Sequence, residues 1–231
     1  MSGIQMLNDR PIRHWNGLTI PDPGLYLLDE AHKRVGFHAQ HMMVSPVRGE
    51  FTRAAATISI ADDPMRSAVT ATIEAGTIDT SNRDRDTHLR SPDFLDAGNH
   101  HTLEYRSTGV KWLGGDEEIF KWARLRNNPL TRRASMVALP DASTGDTGRL
   151  VVTGDLTIKN VTHQVDLTVD YGGARRDPDG REIFGFSATA EIDRESFGLL
   201  WNVALERGGV LVGRRVHIEI AGEAIRQGRS F

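Results

Sequence analysis

Cysteine is absent from the 231 residues. That absence excludes disulfides, thiolate nucleophiles and Cys-ligated zinc or iron–sulfur centres. Long apolar runs are missing as well. No segment approaches the roughly 18 residues of a membrane helix, and Met1 to Gly24 holds no apolar stretch of signal-peptide length. A soluble, cytoplasmic chain is therefore expected. Nor is there an excess of one charge: 28 basic residues face 31 acidic ones, for a formal net charge of −3. This argues against the broad basic field that nucleic-acid or anionic-membrane binding requires.

Catalytic signatures are equally scarce. There is no Gly-x-Ser-x-Gly elbow, and Gly208-Gly209-x-x-x-Gly213 lacks the Lys-Ser/Thr of a phosphate loop. The nine histidines invite a metal reading. On a strand, however, His38 and His41 point to opposite faces, as do the adjacent His100 and His101. No metal site and no catalytic residue is expected.

What is present is two-residue alternation, which gives a strand one apolar and one polar face. Val165, Leu167, Val169 and Tyr171 share a face, as do Leu103 with Tyr105, and Val69 with Ala71 and Ile73. The same holds for Leu150, Val152, Leu156 and Ile158, for the even positions from Phe184 to Ile192, and for Val216, Ile218 and Ile220. Val35–Gln40 and Phe51–Ile60 complete about eight strands. Asp177-Pro178-Asp179-Gly180 reads as a hairpin turn, Gly172-Gly173 as a softer break, and Arg207-Gly208-Gly209 as a second hairpin tip. Helix is expected over Ser81–Asp96, capped by Ser81 and restarting at Ser91-Pro92, and over Asp116–Arg126.

Two helices are too few to cover the apolar face of so many strands. The sheet is expected to close on itself, which also removes its edges. The fold class is thus all-β, an antiparallel barrel of about eight strands. Such a barrel is filled by side chains or holds one small ligand, and periodicity alone leaves both open. The small inward candidates Ala71, Gly154, Ala188 and Ala190 leave room inside.

An ordered series of segments goes further. Gly24-Leu-Tyr-Leu-Leu-Asp29 is followed by Ala31-His32-Lys-Arg-Val35-Gly-Phe37 running to His41, then by Val47-Arg-Gly49-Glu-Phe51. Ile78-Asp-Thr80 precedes Arg85-Asp86-Thr-His88-Leu89-Arg-Ser-Pro-Asp93-Phe94-Leu95. Gly154-Asp-Leu156-Thr157-Ile158, Asp193-Arg194-Glu-Ser-Phe197-Gly198 and Val212-Gly213 close the series. In these segments the chain resembles the YceI-like family of polyisoprenoid-binding proteins.

The resemblance implies an extended, lipocalin-like barrel over residues 23–228, with a long apolar pocket for an isoprenoid, quinone or similar lipid. Residues 1–22 would be an extension, and 111–149 an insertion atypical of the family. The expected ligand wall is Phe37, His41, Met42 (with Met43), Phe51, Ile73, Leu89, Phe94, Leu95, Tyr105, Phe186, Phe197 and Trp201. His88, within the Arg85–His88 polar cluster, either meets a head group or helps pin the helix to the barrel. The expected function is non-enzymatic binding, storage or transport of that apolar ligand by a homodimer, with no cofactor beyond the ligand. The alternatives are an enzyme using a lumenal His41 or His88, and an interaction module built on Trp112, Phe120 and Trp122 of the insertion.

Overall fold

The chain closes into an eight-stranded antiparallel barrel because each strand's apolar face finds cover only across the ring. The computed structural model describes residues 13–42, 45–114, 148–203 and 211–228. Its strands are β1 (Arg13–Trp15), β2 (Leu18–Ile20), β3 (Gly24–His41), β4 (Ser45–Phe51), β5 (Ala54–Ile60), β6 (Ala68–Glu74) and β7 (Ile78–Asp79). After helix α1 (Arg83–Arg90) come β8 (Thr102–Gly114), β9 (Gly148–Ile158), β10 (Val161–Arg176), β11 (Glu182–Asp193) and β12 (Val212–Arg226). The ring runs β3-β5-β6-β8-β9-β10-β11-β12 and closes by pairing β12 with β3. β3 is long enough to pair β5 with its first residues and β4 with its last, and β7 extends β4.

Bulges decide which residues point inward. Along the β12–β3 ladder Gly222 faces Lys33, yet Ala224 faces Leu28, so β3 carries three extra residues at Asp29–His32. An odd number of extra residues reverses the alternation. Even-numbered Tyr26 and Leu28 therefore share the interior with odd-numbered Val35, Phe37 and Ala39. A smaller irregularity after Ser107 moves β8 from the odd phase of Leu103 and Tyr105 to the even phase of Val110 and Trp112.

Several local expectations are corrected. Gly172-Gly173 does not break a strand; it is a bulge inside the continuous β10, with Gly173 at φ 91°. Phe51–Ile60 is the end of β4, a turn at Thr52-Arg53 and then β5. Val35–Gln40 is only the second half of β3. Ser81 is not the helix cap: it sits at φ 58°, and Asn82 instead accepts the Arg85 N–H at 3.0 Å. No helix restarts at Ser91, which ends α1, because the residue before a proline avoids helical geometry. The Asp177–Gly180 turn joins β10 to β11.

Gly154 makes room for a neighbour and not for the lumen. A Cβ there would lie 2.5 Å from Tyr105 Cζ and 2.6 Å from the Arg106 carbonyl oxygen. The Tyr105 hydroxyl thereby reaches the Val152 carbonyl at 2.9 Å. Met43, the Asp116–Arg126 helix with Phe120 and Trp122, and the Arg207–Gly209 turn lie outside the described residues.

Candidate functional site

All eight ring strands contribute apolar side chains to one internal cavity of about 390 Å³. Its wall contains no histidine, aspartate or glutamate among the described residues. The polar side chains that border it are two arginines, Arg13 and Arg194, with Ser67, Tyr105, Tyr171 and the indoles of Trp15 and Trp112.

Phe37 and Phe51 border the cavity side by side, their ring centroids 5.7 Å apart. Ile73 and Tyr105 border it from the adjacent strands β6 and β8, and Phe186 from β11. Leu89, from α1, and Phe94 and Leu95, from the turn after it, complete one end.

Five expected wall residues stand elsewhere. Met42 is exposed at φ 51°, where the chain leaves β3. His41 has the inward phase but is the last residue of β3, and it takes no part in the wall. Phe197 is buried in a 3-10 turn, edge-on to His163 at 5.0 Å. His88 packs edge-on to Phe94 at 5.0 Å and to Trp201 at 4.4 Å, forming a second layer behind the wall. His88 Nε2 lies 3.0 Å from Asp93 Oδ2, and that pair faces solvent. The rest of its polar cluster does pin the helix. Asp86, buried, accepts the Thr80 N–H at 2.9 Å, and Arg85 donates to Thr80 Oγ1 at 2.7 Å.

The other end is closed by a feature the sequence reading missed. β1 and β2 form a separate hairpin whose Leu18 and Ile20 are buried. Trp15 meets Trp112 edge-on at 5.2 Å, and the Tyr171 hydroxyl donates to the Thr19 carbonyl at 2.7 Å. Arg13 ties the hairpin to the β5–β6 turn through the carbonyls of Asp62 (2.5 Å) and Ala61 (3.1 Å). Beneath it Glu182, only 4% exposed, accepts the Asp22 N–H at 2.5 Å, the Tyr26 hydroxyl at 2.9 Å and Arg226 at 2.9 Å. Burial, and then the Glu182 charge, push the Tyr26 phenol well above the ordinary tyrosine range. One signal could have found Glu182: it is a carboxylate in phase with the apolar positions of β11.

On the outer wall, three ladders align Glu191, His217, His38 and Arg48. The His38 and His217 rings stack at 4.6 Å, and His38 Nδ1 lies 3.2 Å from Glu219 Oε1. Burial holds His38 below the ordinary imidazole value of 6.5 despite the pull of Glu219, with His217 and Arg48 adding to the depression. Below pH 6.5 the unfolded chain then takes up a proton that the folded chain resists, so this contribution to stability falls with acidification. The thermal midpoint is expected to drop between pH 7 and pH 5, and less steeply in His38→Gln, as scanning calorimetry would show.

One trio among the described residues could hold a divalent ion. Asp29, His32 and Glu223 bring a ligand atom each to within 4.8 Å of one another beside the β3 bulge. The 2.5 Å hydrogen bond between His32 Nδ1 and Asp29 Oδ2 already braces that bulge.

A closed eight-stranded antiparallel ring places the chain in the class of small β-barrels, whose interior is filled by side chains or holds one small ligand. Within that class the chain belongs to the YceI-like domain family, which it matches over residues 26–224. A UPF0312 protein of Staphylococcus epidermidis is 31% identical over 197 residues, covering 84% of this chain and 94% of its own. The Campylobacter jejuni YceI protein shares the fold at TM-score 0.59 and 21% identity, over 82% of this chain and 90% of that one. A polyisoprenoid-binding domain from Saccharophagus degradans shares it at TM-score 0.57 and 10% identity, over 89% of this chain and all (100%) of that one. The β1–β2 hairpin lies outside the matched span.

Proposed function

We propose that the protein binds, and stores or transports, a long apolar molecule of isoprenoid type in the barrel lumen. The observation that carries this reading is the apolar cavity walled by all eight strands. A hydrocarbon chain asks for area and shape, not for hydrogen bonds. Each carbon moved from water into such a wall contributes about 0.8 kcal/mol, hence on the order of 4 kcal/mol per five-carbon isoprene unit before ordering costs. The name of the Saccharophagus degradans domain points to the same ligand class. Among the described residues the wall offers no histidine or carboxylate as the lumenal base that the enzymatic alternative needs, which supports the binding reading.

The test is gentle purification, organic extraction and mass spectrometry, followed by titration of the stripped protein with geranylgeraniol. Trp15 and Trp112 border the lumen, so their fluorescence reports filling. One apolar molecule per chain and saturable quenching are expected. A protein that purifies empty and does not respond to geranylgeraniol would overturn the reading.

A further inference from the structure

We infer that the β1–β2 hairpin is a stopper that sets the longest apolar chain the lumen accepts, with Trp15 and Leu18 fixing the limit. This rests on the lumenal reading above and adds the length of the molecule.

Arg13, Trp15, Leu18, Ile20 and Pro21 all border the cavity, so the hairpin ends the lumen and does not merely lie over it. Leu18 and Ile20 are 3% and 6% exposed and pack with Tyr171, Phe184 and Ala224 in a cluster of their own. That cluster is distinct from the one around Leu95, Leu156 and Phe197 at the α1 end. The stopper fits without slack. A Cβ on Gly148 would collide with the Trp112 ring and lie 2.8 Å from Leu18 Cδ1, so β9 needs a glycine where the hairpin meets the wall.

The stopper is also held from opposite sides of the ring. Arg13 donates to carbonyls of the β5–β6 turn, and Tyr171 on β10 donates to the Thr19 carbonyl. At the root of the hairpin Glu182 accepts the Asp22 N–H. A chain end arriving at Trp15 would have to break these bonds to pass, and a hydrocarbon offers nothing to replace them. The opposite end is fixed too, by Leu95 and by Arg194, which donates to the carbonyls of Gly213 (3.0 Å), Leu199 and Trp201 (3.0 Å).

The distance between the two ends gives the limit. On β9 the wall runs from Ile158, in the α1-end cluster, to Leu150, which pairs with Trp112 under the hairpin. At about 3.3 Å per residue that is roughly 26 Å of strand, or about 20 Å along the axis of a barrel whose strands tilt by about 40°. An isoprene unit adds four chain bonds, about 5 Å when extended, by the geometry that lets three backbone bonds span about 3.3–3.6 Å. Four units therefore fit between the ends, and nine do not. Nor does a cavity of about 390 Å³ leave room to fold so long a chain back on itself.

Farnesol, geranylgeraniol and solanesol carry three, four and nine such units. Their affinities for the full chain are read by displacement of tritiated geranylgeraniol. Geranylgeraniol is expected to bind about tenfold more tightly than farnesol, and about tenfold or more above solanesol. Trp15→Ala combined with Leu18→Ala should raise the affinity for solanesol about tenfold or more. Leu150→Phe, which thickens the stopper from the wall, should bring geranylgeraniol down to the level of farnesol. Solanesol binding the native protein as tightly as geranylgeraniol, or an affinity for solanesol that the double variant leaves unchanged, would overturn the inference while leaving the lumenal reading intact. Binding of none of the three would overturn both. Should the double variant fail to fold, the native series and Leu150→Phe still decide; a Leu150→Phe that weakens farnesol as much as geranylgeraniol counts against the inference.

Discussion

Placing tryptophan at both Ala71 and Ala188 is expected to abolish uptake of a long-chain isoprenoid while the barrel stays folded. The two alanines border the cavity from β6 and β11, which stand four places apart in the ring of eight. Each indole would grow into a space of about 390 Å³ that is not packed with side chains. Overfilling a packed core costs about 1–3 kcal/mol per site, whereas here the added rings replace the ligand and bury apolar area of their own. Affinity for geranylgeraniol should fall by on the order of a hundredfold or more, with the thermal midpoint near that of the native protein. A double variant that unfolds would instead mark the interior as tightly packed. One that binds normally would place the ligand outside the barrel.

The largest expected stability effect lies at the hairpin end, where Glu182→Ala should destabilise the fold by about 3 kcal/mol. The carboxylate satisfies three donors: the Asp22 amide, the Tyr26 hydroxyl and Arg226. Removing it leaves the buried phenol with the Asp22 carbonyl alone (2.8 Å) and the half-buried guanidinium with the Pro23 carbonyl (2.8 Å) and a longer contact to Asp22 (3.4 Å), and it takes the acceptor from the Asp22 amide in the linker that carries the β1–β2 hairpin. Arg226 is 31% exposed, which lets water recover part of the loss and keeps the estimate at the low end for a broken buried pair. For a chain of this size that is roughly 6–12 °C in thermal midpoint. Glu182→Gln, which keeps one acceptor and the shape, should lose less than half as much. Calorimetry on the two variants separates the role of the charge from that of the hydrogen bonds, and equal midpoints for Glu182→Ala and native protein would refute it.

Much of the barrel was legible in the sequence because alternation is a local property of extended backbone. The inward sets read from period two on β6, β9, β11 and β12 are the sets that face the interior. The YceI-like segments likewise locate Phe37, Phe51 and Phe94 where they border the cavity. Legibility failed where a residue's direction depends on something other than its own strand. Trp201 follows the apolar pair Leu199-Leu200 and His88 belongs to a polar cluster, yet both pack behind the wall, against Phe94, which borders the cavity in front of them. Met42 lies one residue past the end of β3, where a left-handed backbone turns it to solvent. Gly154 looked like free space until Tyr105 filled it.

By itself, then, the sequence determined the alternation of β6, β9, β11 and β12, the turn at Asp177–Gly180, the absence of thiol chemistry and the apolar character of one face. Tertiary structure alone decided the parity of β3 and β8, since a bulge shows itself only against the partner strand. It alone brought the residues 13–20 hairpin over one end of the lumen. It also decided the fate of the two charges in phase on β11. Glu182 is neutralised by a residue 44 positions away, while Arg194 meets only carbonyls. Pairing over that separation is a matter of ring closure, and no local pattern in the chain encodes it.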